Sequence, residues 1–255
     1  MSKKNVGKKK VAVQLPAVAK QIPLEERYSL ELESLDDVAE LVEVDGSSPD
    51  SFLEGARDAD ALLTSWGIRI DQQIISGLEK CAVIGVGSVG VDMVDVDAAS
   101  EAGIVVTNVP DVFIEEVADH TLMLLLACAR RSKLMDKMVN DGNWYKGRPI
   151  LEQIPRLWGQ TLGLISFGNV ATAVARRAKP FGLNVIAYDP YVTELKMTAE
   201  GVQPVNLPEL YEKSDYISIP PGLNDTSRAM LNDDAFAAMK NTVSIINCGR
   251  GPTID

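Results

Sequence analysis

The sequence predicts an α/β protein built from two doubly wound lobes, each on a parallel sheet. Three observations carry this reading. Short β-branched runs alternate with helix-like segments over most of the chain. One long apolar helix interrupts the alternation near the middle. A strand–turn–helix–strand–acid unit then runs from Leu162 to Asp189.

In the first lobe, taken as residues 10–108, strands are expected at 10–14, 29–32, 61–64, 81–85 and 104–107. Ser48-Pro49 places a capping hydroxyl before proline at the first helical position, which marks a helix start. The long helix covers about 114–131, with Ile114, Val117, Ala118, Thr121, Leu125 and Cys128 at helical spacing. Leu122, Met123 and Leu124 make it apolar on more than one side, so it belongs in a core or at a subunit interface. Asn140-Asp141-Gly142-Asn143 and Gly147-Arg148-Pro149 read as a loop. The second lobe, residues 109–255, then has strands at 162–165, 184–188, about 202–205, 216–219 and 243–247. The last of these would present an exposed apolar edge.

Charge narrows the function. The chain has 25 basic and 36 acidic residues, a net charge of −11. Five lysines (Lys3, Lys4, Lys8, Lys9, Lys10) lie in the first ten positions, so the body sets 20 cations against 36 anions. That field argues against nucleic acid or an anionic membrane as partner, and an anionic substrate needs a local cation to hold it. Residues 1–9 read as a flexible basic tail, with neither the apolar run of a signal peptide nor the arginines of a presequence. The greasiest run, 121–129, is too short for a bilayer. Cys81, Cys128 and Cys248 form no metal-binding spacing and suit a reducing compartment, so a cytoplasmic protein without a metal is expected.

The unit from Leu162 to Asp189 has the chemistry of a dinucleotide site. Gly163-Leu164-Ile165 leads into Ser166-Phe167-Gly168-Asn169-Val170-Ala171, a helix follows, and the next strand ends at Asp189, 21 residues after Gly168. Amides at the helix start, with the positive end of its dipole, suit a pyrophosphate. Gly168 removes a side chain from the approach, and Ala171 lets helix and strand pack closely. A carboxylate at 189 accepts bonds from ribose hydroxyls and repels a 2′-phosphate, which favours NAD over NADP. Ser166 stands where the fingerprint has its first glycine. An ordinary βαβ unit that happens to end in aspartate fits the same run.

Five blocks together resemble the NAD-dependent D-2-hydroxyacid dehydrogenases. They are Gly85-Val86-Gly87-Ser88-Val89-Gly90-Val91-Asp92-Met93-Val94-Asp95, Ala102-Gly103-Ile104-Val105-Val106-Thr107-Asn108-Val109-Pro110, Glu116-Val117-Ala118-Asp119-His120-Thr121, Gly159-Gln160-Thr161-Leu162-Gly163 and Ile246-Asn247-Cys248-Gly249-Arg250-Gly251. Tyr188-Asp189-Pro190-Tyr191 and Gly222-Leu223-Asn224 lean toward the branch that includes the C-terminal binding proteins. The resemblance implies a flavodoxin-like substrate lobe and a Rossmann NAD-binding lobe, the latter incomplete within these residues. It implies a homodimer built on the helix at 114–131. It also implies hydride transfer between nicotinamide and C2 of a small 2-oxo or 2-hydroxy acid. Arg250 falls on the family's catalytic arginine, which pairs with the substrate carboxylate and polarises the keto oxygen. Ser88, Val89 and Gly90 match the loop whose amides hold that carboxylate, though a plain strand-to-helix turn reads the same way. The implied cofactor contacts are Thr121, Ser166, Phe167, Gly168, Asn169, Val170, Asp189, Pro221, Gly222, Thr226, Cys248, Gly249 and Arg250.

Some positions depart from the family. Pro220-Pro221-Gly222 stands where histidine is frequent, Met93 where asparagine is frequent, and Val86 where arginine is frequent. The family's acid/base histidine, its acidic partner and the aspartate that orients the nicotinamide amide would fall after Asp255. The chain therefore reads as a fragment of a longer product. The one histidine, His120, reads as a packed, hydrogen-bonded residue near the cofactor rather than a proton donor. Three functions follow: an NAD-dependent oxidoreductase completed by later residues, an NAD(H)-sensing interaction protein, and a degenerate paralogue that binds NAD alone.

Overall fold

A computed structural model describes residues 7–15, 22–35, 37–65, 67–219, 222–224 and 226–255. Residues 1–6 of the expected tail, Pro220 and Pro221 lie outside them. The chain divides into two compact units, Met1–Val112 and Phe113–Asp255, a few residues past the expected boundary.

The first unit runs β1 (Lys9–Leu15), α1 (Leu24–Arg27), α2 (Ser29–Leu35), β2 (Ala39–Asp45), α3 (Pro49–Ala56), β3 (Ala61–Thr64), α4 (Gln72–Gly77), β4 (Val83–Val86), α5 (Val96–Glu101) and β5 (Val105–Thr107). Its strands pair in parallel in the order β2-β1-β3-β4-β5, the flavodoxin-like arrangement. Ala12, Leu62 and Ile84 on the central strands are buried against Phe52, Ile74 and Ala99. Ser48 caps α3 by accepting the amide of Ser51, as its sequence position requires. Where β1 and β3 begin, Asp60 accepts the amide of Lys10 and the ammonium of Lys9, which holds its carboxyl down at about 2.

The second unit runs α6 (Ile114–Ala129), α7 (Ser132–Asn140), α8 (Trp144–Glu152), β6 (Thr161–Ile165), α9 (Asn169–Ala178), β7 (Asn184–Tyr188), α10 (Glu194–Ala199), β8 (Gln203–Pro204), α11 (Leu207–Lys213), β9 (Tyr216–Ile219), α12 (Asp233–Ala238) and β10 (Ser244–Asn247). The order β10-β9-β6-β7-β8 puts β6 between β7 and β9, so the chain reverses direction across the sheet there. In such sheets the crevice beyond the carboxyl ends of these strands receives ligands. Leu162 and Leu164 face the core shared with α6 and α9, while Ile165 faces the core shared with α11 and α12. Arg177 on α9 pairs with Glu115 and Asp119 on α6, fixing the two helices side by side. Among the described residues β10 stands last in the strand order, and its Ile246 is buried.

Four expectations need correction. Residues 29–32 are helical, because the Leu-Glu alternation of Leu30 to Glu33 finds no partner strand, and Leu30 is largely exposed. The strand in that region is β2, hidden in the sequence by Glu40, Glu43 and Asp45. Charges of this kind suit an edge. The presumed loop at 140–149 is mostly α8. Gly147 is buried there against Met135 and Met138 of α7, so its small size serves helix contact rather than a turn. The long helix stops at Ala129, broken by Arg131 in the left-handed region, and its buried stripe is Ala118, Thr121, Leu122, Leu125 and Ala129. Cys128 lies off that stripe and is exposed. The expected tail also ends early, since Lys9 already belongs to β1.

Candidate cofactor and substrate site

The turn after β6 is tied from three directions. Ser166 has φ 89°, a backbone state that costs a side-chain-bearing residue about 1–3 kcal/mol. It is held there by its amide, which donates to the Tyr188 carbonyl at 2.7 Å, and by the fully buried ring of Phe167. The Phe167 amide donates to Asp189 Oδ2 at 2.8 Å. Gly168 has an ordinary φ of −81°, and a Cβ placed on it would meet nothing within 4 Å. The torsional demand for glycine therefore falls on Ser166, and what Gly168 provides is open approach to the start of α9. Asn169 is exposed on the first turn, Val170 packs toward the core, and Ala171 is fully buried. The first amides of α9 lack carbonyl partners within the helix, which makes this end attractive to an anion.

Asp189 also organises its own side of the crevice. Its Oδ1 accepts the amides of Tyr191 at 2.8 Å and Val192 at 3.2 Å. A carboxylate has about four acceptor positions. Three amides leave one, on Oδ2. These features fit NAD: an open helix start, a half-exposed acid with acceptor capacity left, and no cation in the Pro190-Tyr191-Val192 turn to take a 2′-phosphate.

Beyond β9, Asn224 Oδ1 gathers the Thr226 amide, the Thr226 hydroxyl and the Ser227 amide at 2.8–2.9 Å, and Ser227 Oγ donates to Gly222 O. Beyond β10, Asn247 shapes the turn that carries Arg250. Its Oδ1 accepts the Gly249 amide at 3.0 Å, and its Nδ2 donates to Arg250 O at 3.0 Å. The buried Thr253 hydroxyl donates to the same carbonyl at 2.6 Å. Arg250 Nη1 donates to Gly249 O at 3.3 Å, and Cys248 and Gly249 are half-buried beside it.

Ser166–Val170, Asp189, Gly222, Thr226 and Cys248–Arg250 thus share the carboxyl edge of one sheet. Thr121 does not join them: it is buried in α6, and its hydroxyl donates back to Val117 O at 2.8 Å. His120 departs from the expected packed state. It is exposed on a cleft of about 590 Å³ with Phe113, Glu116, Leu124 and Cys248, and has no hydrogen-bond partner among the described residues. The α6 turn at His120 is too far round from the buried stripe to enclose a polar ring. In the first unit, Ser88–Gly90 follow the carboxyl end of β4. Among the described residues no acceptor faces their three amides, while Ser88 Oγ donates to Gly90 O and Asn108 Nδ2 to Val89 O. Sequence reasoning missed Asn247, Thr253 and Asn224. Each acts through bonds made by its own side chain in a turn, and only the asparagine beside a strand end hinted at this.

An open helix start, a tethered acid and a turn-borne arginine on one edge of a parallel sheet are the features of a dinucleotide-binding α/β fold. The profile of the D-isomer specific 2-hydroxyacid dehydrogenase, NAD binding domain, matches residues 122–255, and the chain belongs to that family. It is 37% identical over 222 residues to a D-3-phosphoglycerate dehydrogenase of Methanocaldococcus jannaschii, covering 87% of this chain and 42% of that protein. It is 34% identical over 205 residues to a glyoxylate reductase of Korarchaeum cryptofilum, covering 80% of this chain and 62% of that one. A D-lactate dehydrogenase from Aquifex aeolicus, solved with NAD and lactic acid, matches with a TM-score of 0.83 at 26% identity, over 96% of this chain and 70% of that one. The chain therefore spans less than two thirds of the curated relatives it matches. Among the described residues no helix is long and apolar enough to cross a membrane, and no cluster of side chains could hold a metal ion.

Proposed function

We propose that the protein is an NAD-dependent oxidoreductase acting on the CH–OH group of a small 2-hydroxy acid, in the cytoplasm. The observation that carries this reading is the Arg250 turn, braced by Asn247 and Thr253 on the same sheet edge as the Gly168–Asp189 site. Bound NAD supplies the hydride acceptor. The protein's own residues supply orientation and charge. Gly168 and the first turn of α9 receive the pyrophosphate, and Asp189 Oδ2 receives a ribose hydroxyl. Arg250 binds the substrate carboxylate and stabilises negative charge growing on the keto oxygen. In the first unit, the amides of Ser88, Val89 and Gly90, which no acceptor among the described residues faces, are the carboxylate-binding group that the resemblance implies. We also propose a homodimer through α6 (Ile114–Ala129) and the α7–α8 hairpin that follows it. In support, α7 buries no side chain and α8 buries only Gly147, while Leu134, Val139, Trp144 and Tyr145 are exposed.

The test uses the full-length protein, with NADH absorbance followed against glyoxylate, pyruvate, hydroxypyruvate and its phosphate ester. Turnover of one or more is expected, and Arg250→Ala should cut kcat/KM by roughly a hundredfold or more, as loss of a group that stabilises developing oxyanion charge does. NADH binding without turnover of any oxo acid would reject the dehydrogenase and support an NAD(H)-sensing protein.

A further inference from the structure

Arg250 stands between Gly249 and Gly251, so the backbone on either side does little to fix where its side chain begins. A Cβ built on Gly251 would meet nothing within 4 Å, so packing there does not hold the turn either. What holds it is the Arg250 carbonyl. That oxygen accepts the Thr253 hydroxyl at 2.6 Å, Asn247 Nδ2 at 3.0 Å and the Thr253 amide at 3.3 Å. Asn247 Nδ2 also reaches Thr253 Oγ1 at 3.3 Å, which closes a ring of polar groups beneath the arginine.

Thr253 makes the shortest of these bonds from a side chain that is 1% exposed. Burying a hydroxyl is unfavourable unless it is bonded, and valine would fill the same space without that cost. The hydroxyl therefore adds one thing to the site, a tie to the arginine's own carbonyl. Thr253 is in turn anchored from the other side. Its carbonyl accepts the Leu231 amide at 3.1 Å, flanked by Ala229 N to Pro252 O at 2.9 Å and Asp255 N to Leu231 O at 3.0 Å. Leu231 is fully buried in the core shared with α11 and α12. One residue thus links the arginine's backbone to a packed core.

We infer that Thr253 is a positioning residue for Arg250: its hydroxyl fixes the root of the arginine side chain, while its own backbone is fixed by Leu231. The inference rests on the role proposed above for Arg250 and adds a buried residue that acts through it. A guanidinium pairs with a carboxylate in a defined fork geometry, so a small displacement of its root weakens the pair. Loss of the tie should appear in carboxylate binding and in turnover, and leave NADH binding alone.

The test uses the full-length protein with Thr253→Val, which keeps the shape and removes the hydroxyl, and Thr253→Ser, which keeps the hydroxyl. Oxamate, a carboxylate analogue of a 2-oxo acid that cannot accept hydride, is titrated calorimetrically into each protein saturated with NADH. Thr253→Val should weaken oxamate about fivefold, as loss of one hydrogen bond does, and lower kcat/KM for the oxo acid by a similar factor. Thr253→Ser should restore both, and NADH affinity should match the wild type throughout. In an Arg250→Ala background, Thr253→Val should cost no further kcat/KM, because a positioning residue acts only through the group it positions. Unchanged oxamate binding in Thr253→Val overturns the positioning role while Arg250 keeps its own. An equal loss in both backgrounds, or a loss that serine does not restore, also overturns it and assigns the hydroxyl to the fold at large. A wild type that binds NADH but neither oxamate nor any oxo acid rejects the dehydrogenase reading, and the positioning role falls with it.

Discussion

At the carboxyl end of β1 and just past that of β7, one side chain ties neighbouring loops together, and the two do so with different chemistry. Gln14 is buried; its Oε1 accepts the Ile68 amide at 2.8 Å, and its Nε2 points at Gly46 O at 3.5 Å. Gly46 and Gly67 leave the room, since a Cβ at either would overlap the Gln14 side chain. Asp189 is half-exposed and accepts only, taking three amides from two turns. An amide can balance donor against acceptor and close its surroundings. A carboxylate has no proton to give, so an acceptor position stays open to an outside donor. The first clasp is therefore structural, and the second can also be a binding group.

The comparison can be broken by experiment. The largest effect is expected from Asp189→Ala, which removes the acceptor of three amides and the proposed ribose contact. Hydrogen bonds to a charged group contribute about 1.5–3 kcal/mol, so NADH affinity should fall roughly 10- to 100-fold in a fluorescence titration, with a lower Tm for the protein without cofactor. Unchanged affinity would mean the carboxylate is only a clasp. Gln14→Leu comes next. It strands the Ile68 amide and should lower stability by about 1–3 kcal/mol in urea unfolding, while NADH affinity stays within about twofold. A loss of NADH affinity as large as that of Asp189→Ala would erase the distinction. Ser166→Gly is the smallest change. Relief at φ 89° should raise stability by about 1 kcal/mol, partly offset by the freedom glycine gains in the unfolded chain. A drop in Tm would show that the serine side chain contributes something the backbone angle does not reveal.

What was legible from sequence differs between the units for a physical reason. In the second unit, β6, α9 and β7 were readable because their signals are local: a β-branched run, a small-residue turn, an acid at a fixed remove. In the first unit, β2 was missed because its charges suit an edge, a position that depends on its neighbours. The short Ser-Leu-Glu-Leu alternation at 29–32 read as a strand because period 2 carries no information about whether a partner exists. Arg250 was found from its motif, but Asn247 and Thr253, which set its turn, were not, because their contribution lies in where their side chains reach.

The sequence by itself determined the α/β alternation, the capped start of α3 at Ser48, the dinucleotide turn and the family that the ordered blocks define. Each follows from chemistry within a few residues or along one element. Only the tertiary structure decided that Ser166 bears the positive φ, that Gly168 opens onto space, that Asp189 has one acceptor position left, and that Tyr191 reaches Thr226. Those contacts join residues 22, 35 and, for Gln14 with Ile68, 54 apart. Spacing along a chain cannot specify which lone pair a distant amide will occupy, because that is settled by how the strands between them pack.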